Sequence, residues 1–131
     1  CRARRCLIPC DGFYEWHRMK GEKPIPYRVT RSDGEPLVMA GIWQDWELGG
    51  ELLSSCAIVT TDANAKMADI HHRLPVILNS DDWSLWLGEL GNGAARLMKP
   101  VSDDTVDLVR VSQAVNSNRA TGLELWHPLS V

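Results

Sequence analysis

Three groups of polar residues in this sequence have side chains that could take part in chemistry. The first is Glu15, in the run Gly-Phe-Tyr-Glu-Trp, where a carboxylate stands among aromatic residues. In an aromatic pocket, burial would raise the pKa of Glu15 and suit it to move protons. On the solvent face of an alternating strand, it would be an ordinary surface carboxylate.

The second group is His71-His72-Arg73, between Ile70 and Leu74. Adjacent histidines in a strand face opposite sides, so this pair is a poor joint metal site. One histidine in a cleft beside Arg73 would suit general acid or base work, and Arg73 could hold a phosphate. The alternative is a surface turn with no chemical role.

The third group follows an apolar run and comprises Thr60, Thr61, Asp62 and Asn64. Hydroxyl and amide groups at a junction between strand and helix either cap the helix or bind an anion at its first turn. Capping is the more common role. Asn116, after a second apolar run, either fixes a loop or contacts a ligand.

Strands are predicted to position the first group. Apolar or alternating runs separated by turn signals predict strands in the first half of the chain. Gly49-Gly50 predicts a hairpin turn between two of them. The predicted strands cover residues 5–9, 13–18, 26–31, 37–44 and 52–60.

Helices and strands are mixed in the second half. Asp62 is predicted to cap a helix over residues 63–70, and Asn79 or Ser80 to cap one over 81–87. A short helix is predicted at 94–98, strands at 75–78 and 106–111, and loops beyond 115. The sum is an α+β fold with a curled, mixed or antiparallel sheet resembling an open barrel, and a few short helices.

Composition and charge restrict the function classes. The 131 residues, 44% hydrophobic and 24% charged, predict one folded domain over residues 1–131. A net charge of −3 excludes a strongly basic nucleic-acid binder. The four cysteines follow no zinc-ligand spacing, and Cys6 and Cys56 are predicted to be small buried apolar residues. No apolar stretch approaches the roughly 18 residues of a membrane-spanning helix.

Several motifs follow one another along this sequence in an order that resembles one family, the SRAP family of the SOS response and abasic-site processing. The combination of Gly-Phe-Tyr-Glu-Trp with His-x-Arg-x-Pro is specific, although each motif alone is weak. The matching stretches span nearly the whole chain: Arg5–Trp16, Ala40–Trp43, Thr60–Asn64, Ile70–Leu78 and Val111–Asn116.

The resemblance implies a domain that binds single-stranded DNA at abasic sites. In the family, an N-terminal cysteine exposed by removal of the initiator Met closes a thiazolidine ring with the sugar aldehyde. The resemblance places the proton-transferring residues at Glu15 and His71. It places DNA contacts at Arg73, Thr61 and Trp16, with aromatic residues stacking on unpaired bases. It implies no cofactor and no metal.

The family's first segment, with its reactive cysteine, is expected to be missing from these residues. Cys1 lies directly upstream of the Arg-Cys-Leu-Ile-Pro motif, well inside the family pattern, so it is not assigned as the nucleophile. Leu74 stands where the family usually has Met. The chain alone is therefore expected to hold half a site.

Three functions compete. The first is a covalent abasic-site sensor with self-processing activity, monomeric, away from membranes, and located in the cytoplasm or nucleus. The second is a non-catalytic module that binds single-stranded DNA. The third, a small metal hydrolase using His71, His72, His127 and a Cys or Asp, has no supporting ligand spacing.

Overall fold

Three antiparallel sheets organise the chain in a computed structural model, which describes residues 4–129. Their strand orders are β1-β4-β5, β2-β3-β8 and β6-β7. The strands are β1 Arg5–Cys10, β2 Phe13–His17, β3 Ile25–Arg31, β4 Leu37–Leu48, β5 Glu51–Ile58, β6 Thr60–Asp62, β7 Arg73–Pro75 and β8 Val106–Arg110. The α+β prediction is confirmed, and every strand pair is antiparallel rather than mixed.

Glycines close the turns where the sequence signals them. Gly49 and Gly50 join β4 to β5 with φ angles of 62° and 85°, which side chains rarely adopt. The hairpin predicted at this point is confirmed. Gly34, with φ 80°, lies in the turn between β3 and β4.

The first helix is shorter than predicted and has a different cap. Helix α1 spans Ala65–Ala68, and its N-cap is Asn64, whose side chain accepts a hydrogen bond from the Met67 amide at 2.9 Å. The assignment of Asp62 as the cap is wrong, because Asp62 still belongs to β6. The amide nitrogen of Asn64 also donates to the carbonyl of Val101, which ties α1 to the rest of the core.

The remaining elements follow the predicted places with shifted bounds. Helix α2 spans Trp83–Leu87, after one turn of 3-10 helix at Ser80–Asp82, and Asn79 makes no side-chain cap. The predicted strand over 75–78 begins earlier, as β7, and continues as a bridge between Ile77 and Met39. The other 3-10 helices are Ala94–Leu97, Asp103–Thr105, Gln113–Asn116 and Leu123–Trp126.

Two core clusters lie against β4. Successive side chains of a strand point to opposite faces, so Leu37 belongs to one cluster and Ala40 to the other. Their buried members are Val29, Leu37, Met67, Leu74, Ile77, Val101 and Val106 in the first, and Ala40, Val76, Leu78, Trp86 and Ala94 in the second.

The cysteine prediction is wrong for Cys56, which is exposed on β5, and Cys6 is only half-buried. The apolar run around Cys56 suggested a buried strand, but β5 is exposed along its whole length. No helix within residues 4–129 is long and apolar enough to cross a membrane.

Candidate functional site

Glu15 lies at the centre of β2, opposite Tyr27 of β3, and Tyr27 lies opposite Arg110 of β8. Phe13 shares its face of the strand and packs against the first core cluster. Glu15 is half-buried, and one of its carboxylate oxygens accepts the backbone amide of Trp16 at 3.0 Å. The carboxylate is therefore on the face of the sheet that meets the core, neither fully exposed nor sealed.

An open cleft of about 590 Å³ lies beside this face. Its walls include His17 and Tyr27, the neighbours of Glu15 along and across the sheet, and Ile70, the residue before His71. Charges of both signs line it, from Lys66, Asp69 and Asp107. Glu15 and His71 do not themselves line this cleft, but each is adjacent to a residue that does, and within residues 4–129 no hydrogen bond joins the two side chains.

His71 is oriented by the backbone that follows it. Its Nδ1 lies 3.0 Å from the amide nitrogen of Arg73, which donates to it, and 3.1 Å from the Arg73 carbonyl. Nδ1 thus faces both a backbone donor and a backbone acceptor, and its own role depends on the tautomer, but in either tautomer Nε2 is the ring nitrogen that the Arg73 backbone does not engage. This arrangement leaves Nε2 as the atom that can exchange a proton with a bound molecule.

The expectation that His71 and His72 face opposite sides is wrong. Their rings stack, with centroids 4.7 Å apart and planes inclined by 24°. The alternation rule fails because the two residues lie in a bend before β7 and not in a strand. Within residues 4–129, no group of three or more His, Cys, Asp or Glu side chains is arranged to hold a metal ion.

Arg73 is held rigidly on the short β6–β7 sheet. Its guanidinium forms a salt bridge with Asp62, the residue opposite it, at 2.9 Å, and donates to the carbonyl of Thr60 at 2.9 Å. The side chain remains 40% exposed. A pre-oriented, partly exposed guanidinium is suited to bind a phosphate. A bound phosphate would compete with the Asp62 carboxylate for this guanidinium.

The two threonines of β6 have different surroundings. Thr61 lies opposite Leu74, which is fully buried, so its side chain is on the face turned towards the core. Thr60 lies on the exposed face, where its hydroxyl accepts from Arg73 at 3.1 Å. Thr60 is thus the threonine that contacts Arg73, and sequence reasoning had selected Thr61.

Trp16 lies on the opposite face of β2 from Glu15. Its Nε1 donates to the side-chain oxygen of Asn116 at 2.6 Å, and the amide nitrogen of Asn116 donates to the carbonyl of Pro24 at 2.9 Å. These residues and Arg18 line a small cleft of about 320 Å³. Asn116 therefore fixes both the indole and the loop before β3.

Trp126, which the sequence had placed in an irregular tail, completes an aromatic layer on this outer face. Its ring lies 5.2 Å from Tyr14, and the guanidinium of Arg28 lies over it at 5.6 Å. Arg28 also donates to the Trp126 carbonyl at 2.7 Å. No sequence signal indicated this contact, because 98 residues separate its partners.

Comparison with known families and proteins gives a consistent result. The family model described as SOS response associated peptidase (SRAP) matches residues 1–118. Abasic site processing protein YoqW of Bacillus subtilis is 35% identical over 127 residues, which are 94% of this chain and 57% of that protein. Abasic site processing protein HMCES of Mus musculus is 34% identical over 97% of this chain and 44% of its own length.

Solved structures show the same similarity. A protein from Bacteroides thetaiotaomicron has a TM-score of 0.84 and 28% identity, covering 98% of this chain and 58% of its own. One from Bordetella bronchiseptica has a TM-score of 0.73 and 30% identity, covering 84% of this chain and 56% of its own. The chain thus spans a little over half the length of these structures and of YoqW.

Proposed function

The chain belongs to the SRAP family, and on this basis we propose that it forms the larger part of a domain that binds and processes abasic sites in single-stranded DNA. The observation that carries the proposal is its identity of about one third, along nearly its whole length, with proteins named abasic site processing proteins. The clefts on the two faces of the β2–β3–β8 sheet supply the candidate contacts.

The proposed reaction in the whole protein uses an N-terminal cysteine that is freed by self-catalysed removal of the initiator Met. Its amine condenses with the open-chain sugar aldehyde, which forms an imine and releases water. Its thiolate then adds to the imine carbon and closes a thiazolidine ring. Cys1 is not assigned this role, and it lies outside the described residues.

Glu15 and His71 are the proposed proton-transfer residues. Imine formation needs a proton for the departing hydroxyl, and ring closure needs a base for the thiol. Nε2 of His71, which the Arg73 backbone does not engage, can exchange a proton, and the half-buried Glu15 carboxylate can accept one. A shared role is supported by the fact that both lie next to residues that line one cleft, and it does not require a hydrogen bond between them before DNA binds.

Arg73, Thr61 and Trp16 are the proposed DNA contacts. The exposed guanidinium of Arg73 suits a backbone phosphate. Trp16, fixed by Asn116 beside Arg18, offers an indole on which an unpaired base can stack. Thr61, with its side chain on the core-facing side, is the weakest of the three, and we propose Thr60 as an additional contact through Arg73.

A non-catalytic DNA-binding module is the second candidate, and it is favoured for residues 4–129 only in that two of their three cysteines, Cys6 and Cys10, are half-buried. Burial raises the pKa of the Cys6 and Cys10 thiols, Cys6 further through the nearby Cys56. A thiol with a raised pKa is mostly protonated near neutral pH and is a poor nucleophile. Neither Cys6 nor Cys10 is therefore suited to attack an aldehyde.

The test is a denaturing gel of the whole protein incubated with single-stranded DNA that carries one abasic site. We expect a heat-stable shifted band, which Glu15→Ala and His71→Ala form about 10²-fold more slowly or more. Glu22→Ala, in an exposed loop, serves as a matched control with a near-normal rate. Arg73→Ala should weaken binding and reduce its salt dependence by about one phosphate contact.

The outcomes separate the two candidates. A normal rate in the Glu15→Ala, His71→Ala double variant would remove both residues from the mechanism. DNA binding without any heat-stable band would place the non-catalytic module first. Neither binding nor a band would refute the abasic-site proposal.

A further inference from the structure

Asn64 is the one buried polar side chain among residues 4–129, with 7% of its surface exposed. Its side-chain oxygen accepts a hydrogen bond from the Met67 amide at 2.9 Å, and its side-chain nitrogen donates to the Val101 carbonyl at 3.2 Å. Burying an amide group is unfavourable unless both its donor and its acceptor find partners. Capping alone does not explain this residue type, because an aspartate would also cap α1 but could not donate to Val101.

The contacts of Asn64 lead directly to His71. Met67, whose amide Asn64 holds, is fully buried, and its carbonyl accepts hydrogen bonds from the amides of Ile70 at 2.8 Å and His71 at 3.0 Å. The carbonyl of Asn64 itself accepts from the Ala68 amide at 3.0 Å. Two hydrogen bonds through a single residue, Met67, therefore join the side chain of Asn64 to the backbone of His71.

The segment from Asn64 to His71 is closed at its base. The amide of Ala63 donates to the carbonyl of His72 at 3.1 Å, so the residues on either side of the segment are tied together. Helix α1 has only four residues, and so short a helix is not stable without its cap and its tertiary contacts. Loss of the Asn64 side chain would therefore loosen the chain directly before His71.

The ring of His71 depends on this backbone position. Its Nδ1 lies 3.0 Å from the Arg73 amide nitrogen, and its plane stacks on the His72 ring with centroids 4.7 Å apart. We propose that Asn64 is a positioning residue for His71, which fixes the backbone from which the imidazole projects. The buried Asn64 side chain acts only through His71, and the inference rests on the proposed proton-transfer role of His71.

The rate of cross-link formation by the whole protein tests this proposal. Varying the concentration of the abasic-site oligonucleotide separates the maximal rate from the half-saturating DNA concentration. Asn64→Ala should lower the maximal rate by at least about tenfold, because a small displacement of a proton-transfer group is costly. The half-saturating concentration should stay within about twofold, because the buried Asn64 side chain does not bind DNA. Asn64→Ser, which keeps an acceptor for the Met67 amide, should recover most of the rate.

Leu78→Ala is the matched control for a general loss of stability. Leu78 is 2% exposed and belongs to the second core cluster, which does not include Met67. At a temperature where every variant is folded, Leu78→Ala should keep the maximal rate of the unsubstituted protein. Should Asn64→Ala not fold, Asn64→Gly takes its place, because glycine is the milder truncation at an N-cap.

Hydrogen–deuterium exchange supplies a second readout that needs no DNA. The His71 amide donates to the Met67 carbonyl, whereas the Ala40 amide donates to the Val76 carbonyl in the second core cluster. In Asn64→Ala, exchange of the His71 amide should be accelerated at least about tenfold more than exchange of the Ala40 amide.

Three results would overturn the proposal. Equal rate losses in Asn64→Ala and Leu78→Ala would show a general loss of stability. A change confined to the half-saturating DNA concentration would place the effect in DNA binding. Equal acceleration of exchange at His71 and Ala40 would show that Asn64 does not hold His71. If the unsubstituted protein forms no heat-stable band, the proposed function fails, and the exchange measurement alone decides whether Asn64 positions His71.

Discussion

The two halves of β4 belong to one continuous strand but have very different surroundings. From Leu37 to Gly41 every residue is buried, and both faces of the strand pack against core clusters. From Ile42 to Leu48 every residue is exposed, including two tryptophans. The hydrogen-bonded ladder continues across the change, because β5 pairs with β4 from Gly41 to Leu48.

This difference shows that the apolar residues of a strand are buried only where other elements pack on its faces. The side chains of the first half pack against the two core clusters, and its backbone pairs with β1 and with Val76 and Leu78. Beyond Trp43, whose amide donates to the Arg4 carbonyl, the backbone of the second half pairs only with β5 within residues 4–129. Backbone pairing alone gives a strand little side-chain stabilisation, because apolar groups that stay exposed do not leave water.

The largest effect predicted from this comparison is on the free energy of unfolding. Leu37→Ala should lower it by about 2–5 kcal/mol, because a fully buried leucine leaves a cavity. Leu48→Ala, at a position that is 76% exposed, should change it by less than about 0.5 kcal/mol. Chemical denaturation of both variants measures the two changes in the free energy of unfolding. Equal losses would mean that the hairpin is packed in solution.

The sequence predicted the strand framework because alternation and glycine turns are local properties. It could not predict the exposure of β5, since an apolar run looks the same whether or not something covers it. The prediction that His71 and His72 face opposite sides failed for a different reason. The alternation rule holds for strands, and it was applied to residues that form a bend. Asp62 and Asn64 are both good caps, and only the strand pairing of Asp62 with Arg73 decides between them.

The candidate site can be compared with its prediction residue by residue. Glu15 and Arg73 were proposed because unusual residue types stand in recognisable motifs, and their roles stay predictions. Thr60 was passed over for Thr61, since the choice depends on which face of a three-residue strand is exposed. The contact between Trp16 and Asn116 joins residues 100 positions apart, a distance over which periodicity carries no information.

A second prediction concerns Gly41, where the two halves of β4 meet. A methyl group there would lie 2.7 Å from both the Cys6 sulfur and the end of Ile8. Gly41→Ala should therefore lower the free energy of unfolding by about 1–3 kcal/mol through overpacking. Adding Cys6→Ala should recover part of the loss, and denaturation of the single and double variants measures this coupling. Additive losses would mean that Cys6 does not fill the space beside Gly41.

The smallest predicted effect is a difference between the rates at which two thiols are chemically modified in the folded protein. Cys56 is exposed on the hairpin, whereas burial raises the pKa of Cys6 above its ordinary value. Only the thiolate reacts with a thiol reagent, so in the native protein Cys56 should be modified before Cys6 at pH 8. Because the pKa of Cys6 is raised, its rate of modification should still be increasing at a pH where an ordinary thiol has reached its plateau.

Mass spectrometry of partly labelled protein assigns the order of modification, with a Cys56→Ser variant so that the slower site, Cys6, is followed without Cys56. Faster labelling of Cys6 would mean that the β1 side of the sheet opens more readily than the hairpin. That result would reverse the contrast in protection between the two halves of β4, because Cys6 pairs with the buried half through Gly41.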